Sequence, residues 1–124
     1  MSLPNVRPVN EWTVTAKTAS VGATPLAAWC TAVVKGKIVR TYAVLEGTIT
    51  GTAAIAVAIN GGSDIGTGGL SIAAGGAGTG ASDAPANSGN NAAVNEGDFI
   101  SFTPSGAGGA NIPATFHAVI RESP

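Results

Sequence analysis

The chain has 124 residues, of which 44% are hydrophobic but only 10% charged, with seven acidic residues against six basic ones. That length suits one ordinary domain, and a charged share far below the ~25% of average soluble domains implies a neutral surface built from Gly, Ala, Ser, Thr and Asn. Six Lys and Arg offset by seven Asp and Glu form no footprint for neutralising phosphates, so the balance argues against nucleic acid as a partner.

Residues 1–10 contain Pro4 and Pro8 and no periodic apolar pattern. Each proline removes a backbone donor and pushes its predecessor toward extended geometry, so the segment is predicted to be an extended arm ahead of a single β-domain over residues 11–124. Residues 11–16 alternate polar with apolar and predict a first strand. Residues 26–32, after Thr24-Pro25, are the nearest candidate for a helix, and Leu26-Ala27-Ala28-Trp29-Cys30 reads as buried packing. Residues 37–45 are β-branched and aromatic between Gly36 and Gly47, with Lys35, Lys37 and Arg40 expected on the solvated end of a strand pair. Residues 51–59 have period two, with Ile55, Val57 and Ile59 on one face and alanines on the other, which excludes a helix. The alanine face is flat enough for another layer or subunit to approach, although alanine is equally tolerated on an exposed strand face. Asn60-Gly61-Gly62 is a positive-φ turn.

Residues 66–81 are rich in Gly, Ala and Thr around one short strand at Leu70-Ser71-Ile72, and residues 82–95 read as a long polar loop. Asn95-Glu96-Gly97-Asp98 then opens the apolar run 99–103, residues 104–109 turn, and residues 112–121 return. This predicts a closing β-hairpin with Ile100, Phe102, Phe116 and Ile120 facing the core. Seven or eight short strands without helical periodicity or a 20–50-residue repeat make the class all-β, an antiparallel sandwich or jelly roll.

Reactive groups are scarce. His117 is the only histidine and falls on the strand face shared with Val119 and Arg121, which reads as surface. Cys30 has no partner for an intrachain disulfide, and its apolar setting predicts an inert thiol, although spacing alone leaves a Cys30–His117 pair open. No zinc or calcium spacing occurs; Glu96 and Asp98 read as turn caps. Gly76-Ala77-Gly78-Thr79-Gly80 lacks the Lys-Ser/Thr of a phosphate loop. No catalytic residue, metal or cofactor is therefore expected, and an enzyme is the least favoured class. The longest apolar run, 25–34, is far shorter than the ~20 residues of a membrane span, and residues 1–11 lack the apolar stretch of a signal peptide, so synthesis in the cytosol and no membrane partner are expected. Trp12, Trp29 and Tyr42 are few for a sugar-stacking platform but enough for one small patch; tryptophans are more often core or interface anchors.

Glu96, Gly97, Asp98, Ile100, Thr103, Ser105, Gly106, Pro113, Ala114, Phe116 and Ile120 together resemble the "xEGDxIxxTxSG…PAxFxVxI" ending of small head-decoration, or cement, proteins of tailed bacteriophages. The order of strand 42–50, strand 55–59 with its Asn60-Gly61 turn, variable loop and closing segment is similar to that family over residues 35–121. The resemblance implies a homodimer or homotrimer that binds the outside of the virion shell across boundaries between major capsid protein subunits. The residues expected to touch the shell or a neighbour are Pro4, Val6, Arg7 and Pro8 of the arm, whose prolines keep it extended, and the anchors Trp12 and Trp29. The alternative is a receptor- or glycan-binding β-domain of a phage tail fibre.

Overall fold

The computed structural model describes residues 10–62, 65, 70–83, 92–106 and 110–123. Apart from Asn10, the expected arm lies outside the described residues. Nine strands occur among them: β1 (Glu11–Thr18), β2 (Ala28–Thr31), β3 (Gly36–Leu45), β4 (Ala53–Ile59), β5 (Ser71–Ile72), β6 (Gly80–Asp83), β7 (Ala93–Val94), β8 (Phe99–Pro104) and β9 (Ala114–Glu122). They form two antiparallel sheets, a five-stranded one in the order β1-β9-β3-β6 with β7 also on β3, and a four-stranded one in the order β2-β8-β4-β5. The all-β sandwich is thus the observed architecture. With β7 set aside the strand order is that of a jelly roll, the chain changing sheet at every connection except that between β4 and β5.

Alternation decides what each strand buries. In β1, Val14, Ala16 and Thr18 face inward while Thr13, Thr15 and Lys17 face out; in β4, Ala53, Ile55 and Val57 face inward and Ala54, Ala56 and Ala58 outward. A bulge at Val39 shifts the β3–β9 register between Ile38 and Arg40, so that Lys37 and Arg40, three apart, share the outer face. Gly36 is required by close approach: a Cβ there would meet the Arg121 carbonyl oxygen at 2.0 Å. Asn60 and Gly61 take the expected left-handed values, φ 52 and 77, with the Gly62 amide bonded to the Ile59 carbonyl. Ahead of β8, Gly97 has φ 93 and the Asp98 carboxylate accepts the Asn95 amide at 2.8 Å. That bond, with a side-chain bond from Asn60, holds the Asp98 carboxyl below its ordinary value, as a turn cap should.

Three expectations are corrected. Residues 26–32 form no helix; β2 alternates, Ala28 and Cys30 toward the core and Trp29 and Thr31 outward, because a seven-residue segment cannot repay helix nucleation while β8 offers it a ladder. Residues 82–95 are not all loop, since β7 and the second half of β6 fall there. The predicted closing hairpin is not a hairpin. β8 lies in the four-stranded sheet between β2 and β4, and β9 in the five-stranded sheet between β1 and β3, so the connection from Pro104 to Ala114 joins the two sheets. A connection this long exceeds the two to five residues typical of hairpin loops and suits the ~10 Å step between packed sheets.

The inward faces were read correctly: Ile100, Phe102, Phe116 and Ile120 are all fully buried. The rings of Phe102 and Phe116 stack at 5.0 Å with 9° between their planes, joining the sheets at the middle of one hydrophobic core cluster. Truncation of Phe116 to Ala should cost about 3–5 kcal/mol, most of the stability of a marginal domain. Chemical denaturation checks this, and a wild-type midpoint would place the stack outside the core.

Candidate interaction faces

Because both sheets bury their inner faces, only the outer faces, the edges and the loops are left for partners. The two outer faces have opposite chemistry. On the five-stranded sheet, β1 presents Glu11 and Lys17, β9 presents His117 and Arg121, and β3 presents Lys37 and Arg40, so four of the chain's six Lys and Arg stand here. Arg121 donates to Glu11 at 2.9 and 3.2 Å, and Lys17 lies 3.2 Å from Glu46, which also accepts the Thr115 hydroxyl. These pairs are solvent-exposed and each contributes at most about 1 kcal/mol. A shallow depression on this face, between Tyr42, Val44, Ser82 and His117, contains His117 hydrogen-bonded to the Thr15 hydroxyl at 2.9 Å.

On the four-stranded sheet, the outward residues are Trp29 and Thr31 of β2, Phe99, Ser101 and Thr103 of β8, Ala54, Ala56 and Ala58 of β4, and Ser71 of β5. None is charged. Trp29, opposite Ser101 in the ladder, is 63% exposed, and Phe99, opposite Thr31, is 42% exposed. The Ser101 hydroxyl turns back to the Ala58 carbonyl, which keeps the middle of the face flat. The alanine stripe visible in the sequence is therefore one strip of a neutral surface bordered by two exposed aromatic rings.

The expected contact residues are partly separated by this geometry. Pro4, Val6, Arg7 and Pro8 lie outside the described residues. Trp12 sits at the open end of β1, its indole N–H bonded to Glu122 at 2.9 Å, beside Asn10 where the arm begins. Trp29 and Tyr42 lie on opposite outer faces, so Trp12, Trp29 and Tyr42 do not form one patch. Cys30 faces the core from the four-stranded sheet while His117 faces outward from the five-stranded one, which rules out a Cys30–His117 pair. Among the described residues no group of three or more His, Cys, Asp or Glu is placed to hold a metal, and every buried side-chain nitrogen or oxygen has a hydrogen-bond partner. Nothing in the sequence could reveal that β2, β8 and β4 are neighbours, so the extent of the neutral face was not legible there.

No protein-family model matches the sequence, and no curated protein matches it. Solved structures do. A chain of the cyanophage Pam1 capsid superposes with a TM-score of 0.58 at 12% identity, over 99% of this chain and 93% of that one. A chain of the acid-stable capsid of Helicobacter pylori bacteriophage KHP30 gives 0.52 at 7% identity, over 90% and 86%. A chain of the Ralstonia phage GP4 capsid gives 0.51 at 10% identity, over 99% and 91%. At such identities the likeness is one of fold: this jelly roll is a fold found in phage capsids.

Burial pushes the Cys30 thiol from 9.0 up to about 11. At pH 8 its alkylation should run roughly a hundredfold slower than that of an ordinary thiol, because the thiolate is the nucleophile, and denaturant should restore the ordinary rate. Rapid labelling of the folded protein would contradict the inward orientation of Cys30.

Proposed function

We propose that the protein is a structural component of a bacteriophage virion that binds the outer surface of the capsid and reinforces contacts between major capsid protein subunits. The observation that carries this reading is the outer face of the four-stranded sheet, which among the described residues exposes Trp29 and Phe99 and no charged residue from its strands. Burying a charge costs several kcal/mol unless a partner restores its interactions, so a neutral face can enter a contact at little desolvation cost while the charged face stays in water. The fold shared with chains of phage capsids supports the same reading. In it the protein is not an enzyme, holds no cofactor and acts by covering joints in the shell. It is made in the host cytoplasm and resides on the capsid exterior. The tail-fibre alternative loses its proposed platform, since Trp29 and Tyr42 point in opposite directions.

Area limits the strength of a single attachment. The seven residues of β4 span about 24 Å and four strands about 14 Å across, a projected face of roughly 340 Å². That is under half of the ~800 Å² per partner of a standard stable interface, so one face alone binds weakly and several joined faces bind well.

Co-sedimentation with bare capsids tests the proposal. Trp29→Asp, which places a charge in the neutral face, should weaken retention at least tenfold, whereas Tyr42→Asp on the opposite sheet should leave it unchanged, and wild-type retention should fall only modestly with salt. Loss of binding in Tyr42→Asp with none in Trp29→Asp would reverse the assignment of faces. Absence of retention for the wild type would end the capsid reading.

A further inference from the structure

The outer face of the five-stranded sheet is not flat. Thr15, His117, Tyr42 and Ser82 stand opposite one another in one row across β1, β9, β3 and β6. The next row runs Lys17, Thr115, Val44 and Gly80, and it ends without a side chain. A Cβ at Gly80 would come within 2.9 Å of the Ala43 carbonyl oxygen, so the close approach of β6 to β3 keeps that position bare. Beside it Ala81 packs toward the core. The surface therefore drops away next to the Tyr42 ring, which is 39% exposed, and leaves an open hollow of about 460 Å³. That volume falls within the roughly 300–1,000 Å³ of small-molecule sites, and the lining has their usual make-up, mostly apolar with a few polar groups.

Those polar groups select a ligand. Tyr42 and Ser82 each bring a hydroxyl that makes no hydrogen bond to another described residue. His117 brings an imidazole whose Nδ1 is taken by the Thr15 hydroxyl at 2.9 Å, which leaves Nε2 for a ligand. A hydroxyl both donates and accepts, so a ligand that bears several hydroxyls satisfies all three groups in either tautomer of the ring. Among the described residues no Lys, Arg, Asp or Glu lines the hollow, so a charged ligand would lose water without gaining a counter-charge. The Tyr42 ring and the Val44 methyls require that one side of the ligand be apolar. A pyranose meets these conditions together: it is neutral, C–H groups cover a face of its ring, and hydroxyls surround its edge. Because the hollow is open toward solvent, it holds such a ring by one side and leaves room for the rest of a chain.

We propose that this hollow binds a neutral pyranose unit of a glycan, with Tyr42 stacked on the C–H face of the sugar and Ser82 and His117 bonded to its hydroxyls. The site lies on the sheet opposite Trp29 and Phe99, so it does not rest on the capsid proposal, and its test uses no capsid. A copy bound to a shell by its neutral face would display the site outward.

NMR spectra of the full chain, titrated with methyl glycosides of glucose, galactose, mannose and N-acetylglucosamine up to about 50 mM, test the site. At least one glycoside should shift the Gly80, Ala81 and Ser82 amides and the His117 ring signals saturably, while the signals of Trp29 and Phe99 stay in place. The dissociation constant should be millimolar, as suits a small ligand held on one side. Tyr42→Ala should raise it about tenfold, and Tyr42→Phe, which keeps the ring, should stay within about threefold. Lys37→Ala, on the same face but outside the hollow, should change nothing. The methyl glycoside should bind as well as the free reducing sugar, since a unit within a glycan leaves its anomeric oxygen in solvent. The absence of a saturable shift with all four glycosides overturns the proposal, as do shifts spread over both faces of the molecule. Unchanged binding by Tyr42→Ala, equal losses in Tyr42→Ala and Tyr42→Phe, or binding of the free sugar alone overturns it as well.

Discussion

The contact between β8 and β9 across the middle of the sandwich is the constraint on which the rest depends. Phe102 and Phe116 stand on the second strand of each sheet, flanked by β2 and β4 on one side and by β1 and β3 on the other. Their stack fixes the spacing of the sheets, and the flanking strands then add their own inward residues, Val14, Ile38, Ile55 and Val57 among them. In a chain with so many Ala and Gly residues, these two rings are the largest fully buried side chains available to fill an inter-sheet gap of about 10 Å.

Once the inner faces are committed, the outer faces divide the remaining chemistry. β3 and β9, central strands of one sheet, carry three of that face's four basic residues, while β4 and β8, central strands of the other, carry Ala, Ser, Thr and Phe99 outward. The low charge of the whole chain is therefore unevenly distributed, with one face able to stay hydrated and one able to be covered. In the capsid reading this asymmetry sets the orientation of the molecule, neutral sheet toward the shell and charged sheet toward solvent. It also explains how a weak contact suffices, because neighbouring copies held together sum their areas while each adds little self-repulsion.

Much of this was legible where alternation is strong. The strands containing Val14, Ile38, Ile55, Phe102 and Phe116 are evident from period two, and Asn60-Gly61 and Asn95-Glu96-Gly97-Asp98 announce their turns because left-handed backbone and a carboxylate cap need those residue types. β6 and β7 were hidden because Gly80-Ala81-Ser82 and Ala93-Val94 carry almost no apolar contrast. β2 was misread because Leu26 and Trp29 suggest burial, whereas the short Ala28 and Cys30 take the inward positions and the large residues remain outside. The link from Phe102 to Phe116 was read as a hairpin because the turn chemistry of an arch and of a long hairpin is the same; only the pairing of each strand with its non-sequential neighbours separates them. For the same reason the alanine strip of β4 was visible while its continuation into Trp29 and Phe99 was not.

A cryo-electron microscopy reconstruction of bare phage capsids saturated with the protein tests the central claim most directly, since it gives the orientation of the jelly roll on its support. The account predicts the four-stranded sheet against the shell, with Trp29 and Phe99 covered, and Lys37, Arg40 and His117 facing solvent. Density that places the five-stranded sheet on the shell, or leaves the Trp29 face in open solvent, would contradict it.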